Sequence, residues 1–410
     1  MKICFWGNVA NALKGKTDGG GELQIAFIAR ALAKCGHEVV VVDYATNEEF
    51  ITPEGIKVFT VKDWNKGKKI LRTVTHRIPG LYSTLKNQKA DIYYCRIRDF
   101  RHIIAYWVAR KVKGKFVIHM ASDLDAMSFR ERFKSFYMAK PATLWWFFSG
   151  LLIELVYPWL LRHADLVLVQ HSGQRDVLLK KNIKPVILYN IIDMSAIPGP
   201  NGMQYEDFTY VGWLDKRKGF PFFYEIIKKL PNHTFKIIGA PRDKFGHHYY
   251  DKLKTFPNVR LMGELPHART LKEISQSKAL ISTSPSEGFP NVFIEAWACG
   301  IPVYSLIVDP GSVIQKESLG VIAHGDIDKL ARALNEFSCG SEFPSRALKY
   351  IEEHHAMNER KVNEINRIFT ELRYGKIRLH KEAVLQAVDH RTGTGGYKGN
   401  DKDPEFQAGL

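Results

Sequence analysis

Glu287 and Glu295 are separated by seven residues in the run Ala279 to Leu306, ALISTSPSEGFPNVFIEAWACGIPVYSL. A carboxylate facing a sugar ring accepts hydrogen bonds from its hydroxyls and favours the positive charge of an oxocarbenium-like carbon. ALIST reads as a short strand, and SPSEGFPN as a breaker cluster with two prolines and a glycine. VFIEAWAC then reads as a helix, and IPVYSL as a second strand. That order places Glu287, Gly288 and Phe289 at a helix N-terminus, where unpaired backbone N–H groups and the helix dipole suit an anionic ligand such as a diphosphate.

This segment resembles the Glu, seven residues, Glu signature of the family-four retaining glycosyltransferases of the GT-B fold. An EGFP-like turn, an E-A-x-A-x-G-x-P-V run and a small polar strand end before the first Glu all match between Ser282 and Val303. Two glutamates at this spacing alone also occur on solvated helix faces, and the flanking residues carry the resemblance. The resemblance implies that Glu287 meets the donor sugar and Glu295 the nucleotide ribose. Gly288, Phe289, Pro290 and Asn291 would bind the donor beside them.

Other stretches extend the resemblance over roughly residues 1 to 370. VGWLDKRKGF looks like the family's G-R-x-x-x-x-K-G turn, with Lys218 in the lysine position. An ammonium at a strand-to-helix turn is suited to neutralise a leaving diphosphate. Trp213 stands where the family usually has arginine, and Arg217 is the neighbouring charge expected to replace it. A solvated basic turn is the other reading of this KRK triplet.

Gly19, Gly20 and Gly21 lie between a first strand and an amphipathic helix, in the place of the family's GG loop beside the donor diphosphate. Glycines there allow positive φ and close approach of a ligand to the backbone. His119 ends the strand KFVIHMA facing the presumed cleft, and the resemblance implies contact with the transferred sugar. A strand-end histidine satisfied by backbone is the alternative. VRLMGELP resembles the loop that touches the nucleotide base, with Gly263 and Glu264 as its contacts.

Asp123-Leu124-Asp125 is the one pattern that suggests a divalent cation holding a nucleotide diphosphate. That reading requires a metal and a single nucleotide-binding half. Two series of strands together with Lys218 favour a helix dipole plus lysine, leaving the aspartates as a helix cap and acceptor contact. No metal and no other cofactor is therefore expected, and the nucleotide-diphosphate sugar is substrate.

These residues need two scaffolds to position them. KICFWGN, EVVVVDYA, IKVFTV, DIYYCR, KFVIHMA, DLVLVQ and PVILYN read as strands with helical patterns between several of them. A second series runs through DFTYVG, FKIIGA, VRLMG, ALISTS and IPVYSL. Repeated strand–helix alternation predicts an α/β protein of two Rossmann-like, doubly wound domains facing a cleft. Residues 1–190 form the acceptor-binding domain, 191–204 a Pro/Gly-rich linker, and 205–373 the nucleotide-sugar domain whose last helix can pack back. Residues 374–410 are a tail, glycine-rich and polar from about Thr392.

The 410 residues have globular composition and a net charge of +16. Residues 1–190 carry 30 Lys and Arg against 16 Asp and Glu, and residues 191–373 carry 23 against 22. Such asymmetry predicts an anionic membrane surface against the N-terminal half, reinforced by interfacial aromatics in LWWFFSGLLIELVYPWLL. Glu154 and Pro158 argue against a spanning helix, which leaves an N-domain core helix and a partly exposed, membrane-facing helix as the two readings of this run. No nucleic-acid motif accompanies the charge, so nucleic acid is not a predicted partner. Met1 leads directly into a strand, which predicts no signal peptide and a location in the cytoplasm or peripheral on the inner face of the membrane. Five cysteines without CxxC spacing predict reduced, mostly buried thiols.

The reading is a retaining transfer of a sugar from a nucleotide-diphosphate donor to a carbohydrate or lipid-linked acceptor hydroxyl, in polysaccharide, lipopolysaccharide or glycolipid synthesis. A phosphorylase or nucleotide-sugar epimerase of the same fold and a catalytically silent, membrane-docked binding protein remain alternatives.

Overall fold

The computed structural model describes residues 1–16, 19–68, 71–127, 144–199, 205 and 207–375, with the side chains of 144–149 left aside. The polar tail beyond 375, part of the linker, Thr17, Asp18 and Lys69 lie outside these residues.

Strand alternation builds both halves. In β1 (Lys2–Trp6), Ile3 and Phe5 enter one core while Cys4 and Trp6 enter another. In β2 (Glu38–Asp43), Val39 and Val41 join the first core, and Val40 and Val42 the second. Such runs of apolar residues mark a sheet covered on both faces, since successive side chains point to opposite sides. The sheet continues with β3 (Phe50–Ile51), β4 (Lys57–Thr60), β5 (Ile92–Arg96), β6 (Lys115–His119), β7 (Leu166–Val169) and β8 (Val186–Ile187). Its order is β3-β4-β2-β1-β5-β6-β7-β8, parallel except for the β3–β4 pair.

A second, parallel sheet comprises β9 (Asp207–Val211), β10 (Thr234–Ile238), β11 (Val259–Gly263), β12 (Ala279–Ser282), β13 (Val303–Ser305) and β14 (Gly320–Ile322). Its order is β11-β10-β9-β12-β13-β14. Strand order reverses at β1/β5 in the first sheet and at β9/β12 in the second. Crevices at such switch points, beyond the carboxyl ends of the strands, are where doubly wound sheets bind ligands.

Several local expectations differ from the structure. The two-residue β3 and three-residue β14 were not legible, because so short a run carries no period. Lys66 and Lys68 lie in the loop ahead of the π-helix Thr73–Arg77, which leads into the helix Ile78–Gln88. The helix Leu144–His163 keeps Pro158 inside it and is core and surface at once. Tyr157, Leu160 and Leu161 are buried, while Leu151, Leu152 and Leu155 are exposed. Among the described residues no helix is long and apolar enough to cross a membrane.

The chain crosses between the halves twice. The second crossing follows the helix Phe343–His354, where the Ile192 N–H donates to His355 O at 2.9 Å and the Met357 N–H donates to Ile192 O at 2.9 Å. Beyond it the helix Glu359–Tyr374 places Ile365, Ile368, Phe369 and Leu372 in the N-terminal core, and Arg373 pairs with Asp91 at 2.8 Å. His355 is fully buried at this crossing, its Nδ1 2.7 Å from the Asn190 carbonyl. A carbonyl only accepts, so Nδ1 carries the proton.

Burial drives the His355 pKa down to about 3, and it lowers those of the fully buried His102 and His119 in the same direction. Below the ordinary histidine value the unfolded chain binds protons that the folded chain excludes, so stability falls as pH drops from about 6.5. Each such group gives a slope approaching about 1.4 kcal/mol per pH unit. Chemical denaturation should show a lower midpoint at about pH 5 than at about pH 7. His355→Asn, which retains an N–H for the carbonyl, should shrink that difference.

Candidate active site

The loops after β9 and β12 flank the switch point of the second sheet, and their chemistry meets there. Lys218 Nζ lies 2.5 Å from Glu287 Oε1, with both side chains partly exposed. Asp215 caps the first loop, its Oδ1 accepting from the Lys218 N–H at 3.0 Å, and Gly219 follows at φ 63°. A Cβ on Gly219 would lie 1.9 Å from Thr283 O, so the left-handed backbone and the contact between loops both require glycine. Thr283 Oγ1 donates to Lys218 O at 3.2 Å, tying the two loops together.

Glu287 also touches the other half of the molecule, because the Asp123 N–H donates to its carbonyl at 2.9 Å. The neighbouring backbone is held by side-chain amides of the N-terminal half. The Phe289 N–H donates to Gln170 Oε1 at 2.9 Å, and Asn190 Nδ2 donates to Phe289 O at 2.8 Å and Asn291 Oδ1 at 3.0 Å. Asn291 Nδ2 donates to Gly20 O at 3.1 Å. Any Cβ on Gly288 would fall 1.9 Å from Gln170 Oε1 and 2.6 Å from Ala121 O. The closed crevice thus depends on a bare backbone at 288.

This geometry corrects several expectations. The Phe289 amide already has a partner, and its buried ring stacks edge-on with His355 at 4.7 Å, so Phe289 anchors the loop instead of offering a free N–H to a ligand. Pro290 is the N-cap of the helix Asn291–Ala298. Gly20 and Gly21 open the helix Gly20–Lys34, with Gly19 as its extended N-cap at φ −175°. Close approach, and not positive φ, explains them, since a Cβ on Gly20 would meet Asn291 Nδ2 at 2.8 Å.

His119 is fully buried and does not face an open cleft. Its Nδ1 lies 2.6 Å from Tyr94 Oη and 3.2 Å from an Arg96 guanidinium nitrogen. An arginine can only donate, so Nδ1 accepts, and burial with the adjacent guanidinium holds the ring neutral, its pKa well below the usual range. Arg96 in turn donates to Asn190 Oδ1 at 2.9 Å, which links His119 to the Glu287 loop.

Arg217 turns back onto Asp215 at 2.6 Å and is half exposed, so it does not fill the position of Trp213. Glu295 is buried on its helix and accepts from His267 Nε2 at 2.9 Å, which raises the His267 pKa. It lines a cavity of about 170 Å³ between the two halves, which neither Lys218 nor Glu287 reaches. Gly263 ends β11 at φ 68° and accepts from the Gly239 N–H at 2.7 Å, beside an exposed Glu264.

Asp123 and Asp125 serve separate partners. Asp123 Oδ1 accepts from His171 Nε2 and Gln174 Nε2, both at 2.9 Å. Asp125 Oδ2 accepts from the Ala121 and Ser122 N–H groups, completing a capping box in which Ser122 is the cap residue.

Residues 18–196 match the family described as Glycosyltransferase Family 4, and residues 206–338 match that described as Glycosyl transferases group 1. The chain belongs to the family-4 glycosyltransferases. Its relatives include a phosphatidylinositol N-acetylglucosaminyltransferase subunit of Arabidopsis thaliana, 22% identical over 338 residues that span 78% of this chain and 71% of the relative. Among solved structures, sucrose-phosphate synthase from Thermosynechococcus elongatus superposes with a TM-score of 0.70 at 14% identity, over 91% of this chain and 99% of that one. Anabaena HepE in complex with UDP-glucose gives 0.66 at 14% identity, over 90% and 100%. Both share the fold, two Rossmann-like domains in the GT-B arrangement.

In this glycosyltransferase the sequence reading missed Gln24, Arg96, Gln170, Asn190 and His267. Two of these had a signal. Gln170 directly follows the apolar strand LVLV, and Asn190 closes ILYN, so each is a polar residue just beyond a strand of a doubly wound sheet.

Gly288→Ala should leave the melting temperature of the domains close to the wild type yet separate the halves. Small-angle scattering should show a larger radius of gyration, and turnover should fall at least about tenfold, the cost of misplacing groups across a cleft.

Proposed function

We propose that this glycosyltransferase is a retaining enzyme that moves a sugar from a nucleoside-diphosphate sugar to a hydroxyl of a lipid-linked acceptor. The observation that carries this reading is the Lys218–Glu287 pair at the switch point. When the donor binds, Lys218 takes the diphosphate oxygens and Glu287 turns to the sugar hydroxyls. The bond from the anomeric carbon to the β-phosphate oxygen breaks, and the acceptor oxygen bonds to that carbon from the same face. Its proton passes to the departing phosphate oxygen. Lys218 stabilises the charge left on the diphosphate, and Glu287 favours the oxocarbenium character between the two events.

Glu295 binds the nucleotide ribose, and His119 acts through Arg96 and Asn190 as a positioning residue. Charge neutralisation by Lys218 makes a metal unnecessary in this scheme. The UDP-glucose bound to the HepE structure supports a nucleotide-sugar donor, and the name of the Arabidopsis relative supports a lipid-linked acceptor.

Glu287→Gln should remove most turnover and leave folding intact, while Glu295→Ala should raise the donor Michaelis constant. Lys218→Ala should weaken a nucleoside diphosphate by about 1.5–3 kcal/mol and spare the nucleoside, as loss of one charge-assisted hydrogen bond does. Calorimetry with both ligands reads the difference, and wild-type behaviour in all three variants would sink the assignment. Turnover that needs inorganic phosphate in place of an acceptor would identify a phosphorylase instead.

The acceptor side of the proposal is an anionic bilayer against the N-terminal half. Leu151, Leu152 and Leu155 form an exposed ridge on the helix Leu144–His163, and Trp107 is exposed on the helix His102–Lys111 that packs against it. Combined with the excess of basic residues in 1–190, this fits interfacial binding. Sedimentation with vesicles should require anionic lipid and weaken with salt. Leu151→Glu with Leu155→Glu should reduce it, as should Lys66→Glu with Lys68→Glu. No binding to anionic vesicles at low salt would turn the reading toward a soluble acceptor.

A further inference from the structure

Two cations on the loop after β9 are already engaged by carboxylates. Lys218 pairs with Glu287 and Arg217 with Asp215. Arg242 has no acidic partner among the described residues, yet its place is fixed. Its guanidinium carbon lies 3.3 Å from the ring centroid of Trp213.

The backbone on both sides of this stack is held firmly. β9 and β10 are adjacent and parallel, and the loops that leave their carboxyl ends stay paired, Gly212 N–H donating to Ile238 O at 3.0 Å and Leu214 N–H to Ala240 O at 3.2 Å. Leu214 also bridges Pro241, the residue before Arg242. Asp243, the residue after it, caps the helix Lys244–Leu253 through the Gly246 N–H at 2.7 Å. A Cβ on Gly246 would lie 1.9 Å from Leu214 O, and one on Gly239 2.0 Å from Gly212 O, so both approaches are too tight for any other residue. Arg242 is thus a cation held on an aromatic shelf without a counter-ion among the described residues, which is a preorganised site for an anion.

Its position selects the anion. Trp213 and Lys218 belong to the same loop, and the Lys218 stem passes over Gly212, its Cγ 3.9 Å from where a Cβ on that glycine would be. Lys218 therefore rises from the carboxyl end of β9 at the switch point, and Arg242, on the loop after the neighbouring β10, reaches that same β9 loop by lying on Trp213. We propose that Arg242, laid flat on Trp213, is a second cationic contact for the diphosphate of the nucleotide donor, completing with Lys218 a pair that brackets it. This rests on the donor reading above. A planar guanidinium presents two parallel N–H groups to phosphate oxygens, which the single ammonium of Lys218 does not.

The test is calorimetric binding of UDP, GDP, uridine and guanosine to the full chain. Arg242→Ala should raise the Kd of whichever diphosphate binds by about tenfold or more and leave its nucleoside unchanged, the signature of a lost charge-assisted contact. Arg242→Gln, which keeps most of the stem, should lose as much. Trp213→Ala should weaken the diphosphate in the same direction, because the shelf is gone. Trp213→Arg combined with Arg242→Ala should recover part of the affinity by restoring a guanidinium on the loop.

An unchanged diphosphate Kd in both Arg242 variants would overturn this inference and leave the donor reading intact. Equal weakening of nucleoside and diphosphate would overturn it in favour of a base contact. Binding of neither diphosphate by the wild-type chain would overturn both readings together.

Discussion

The crevice depends on how closely the backbone of Gly288 and Phe289 approaches the strand ends of the N-terminal half. Gln170 and Asn190 grip that backbone with neutral side-chain amides, and an amide both donates and accepts. Gln170 can therefore accept from Phe289 while donating to Asn190 at 3.0 Å, and Asn190 can pass the contact on to Asn291. Neutral hydrogen bonds of this kind contribute only about 1 kcal/mol each, because water replaces them when they open. A handful of them holds two domains together reversibly, as a cleft that must admit and release ligands requires.

Close packing of backbone on backbone recurs throughout the site and explains why its glycines sit where they do. Gly219 lies against Thr283, Gly239 against Gly212, Gly246 against Leu214 and Gly288 against Ala121. Each removes the one atom that would keep two loops apart. The loops after β9, β10 and β12 consequently form one connected surface, and the side chains on it inherit the rigidity of the sheet. Lys218, Trp213 and Glu287 are loop residues by sequence but are fixed by strand ends, which is the combination a functional site needs.

Much of this could be read in the sequence, for a physical reason. Strands buried on both faces are nearly continuous apolar runs, so EVVVVD and KICFW announce themselves, and the turns between them carry the glycines and polar residues of a doubly wound sheet. Lys218 and Glu287 belong to motifs nearly seventy residues apart, and the fold brings them together. Side-chain direction was not legible. Strand period gives the face of His119 but not the Tyr94 hydroxyl and Arg96 guanidinium that close over it. Spacing suggested that Arg217 could stand in for an arginine at 213. Asp215, two residues before it, captured that side chain instead, while an arginine nearly thirty residues further on lay across the tryptophan. Contacts between halves, such as Gln24 Nε2 donating to Asn291 Oδ1 at 3.3 Å, have no local pattern at all.

The C-terminal half is almost neutral, which at first sight suits a diphosphate poorly. What matters is the local exchange of partners and not the net charge of the domain. In the free chain Lys218 neutralises Glu287, so neither charge stands uncompensated in the crevice. A diphosphate carries more negative charge than a single carboxylate and, on the proposed reading, displaces it. Glu287 is then released at the moment the sugar attached to that diphosphate comes to lie beside it. Donor binding and exposure of the carboxylate become one event, and a carboxylate left unpaired next to an anionic diphosphate is disfavoured unless positive charge develops between them. That is the charge arrangement of glycosyl transfer, in which the anomeric carbon becomes cationic between the departing phosphate and the carboxylate.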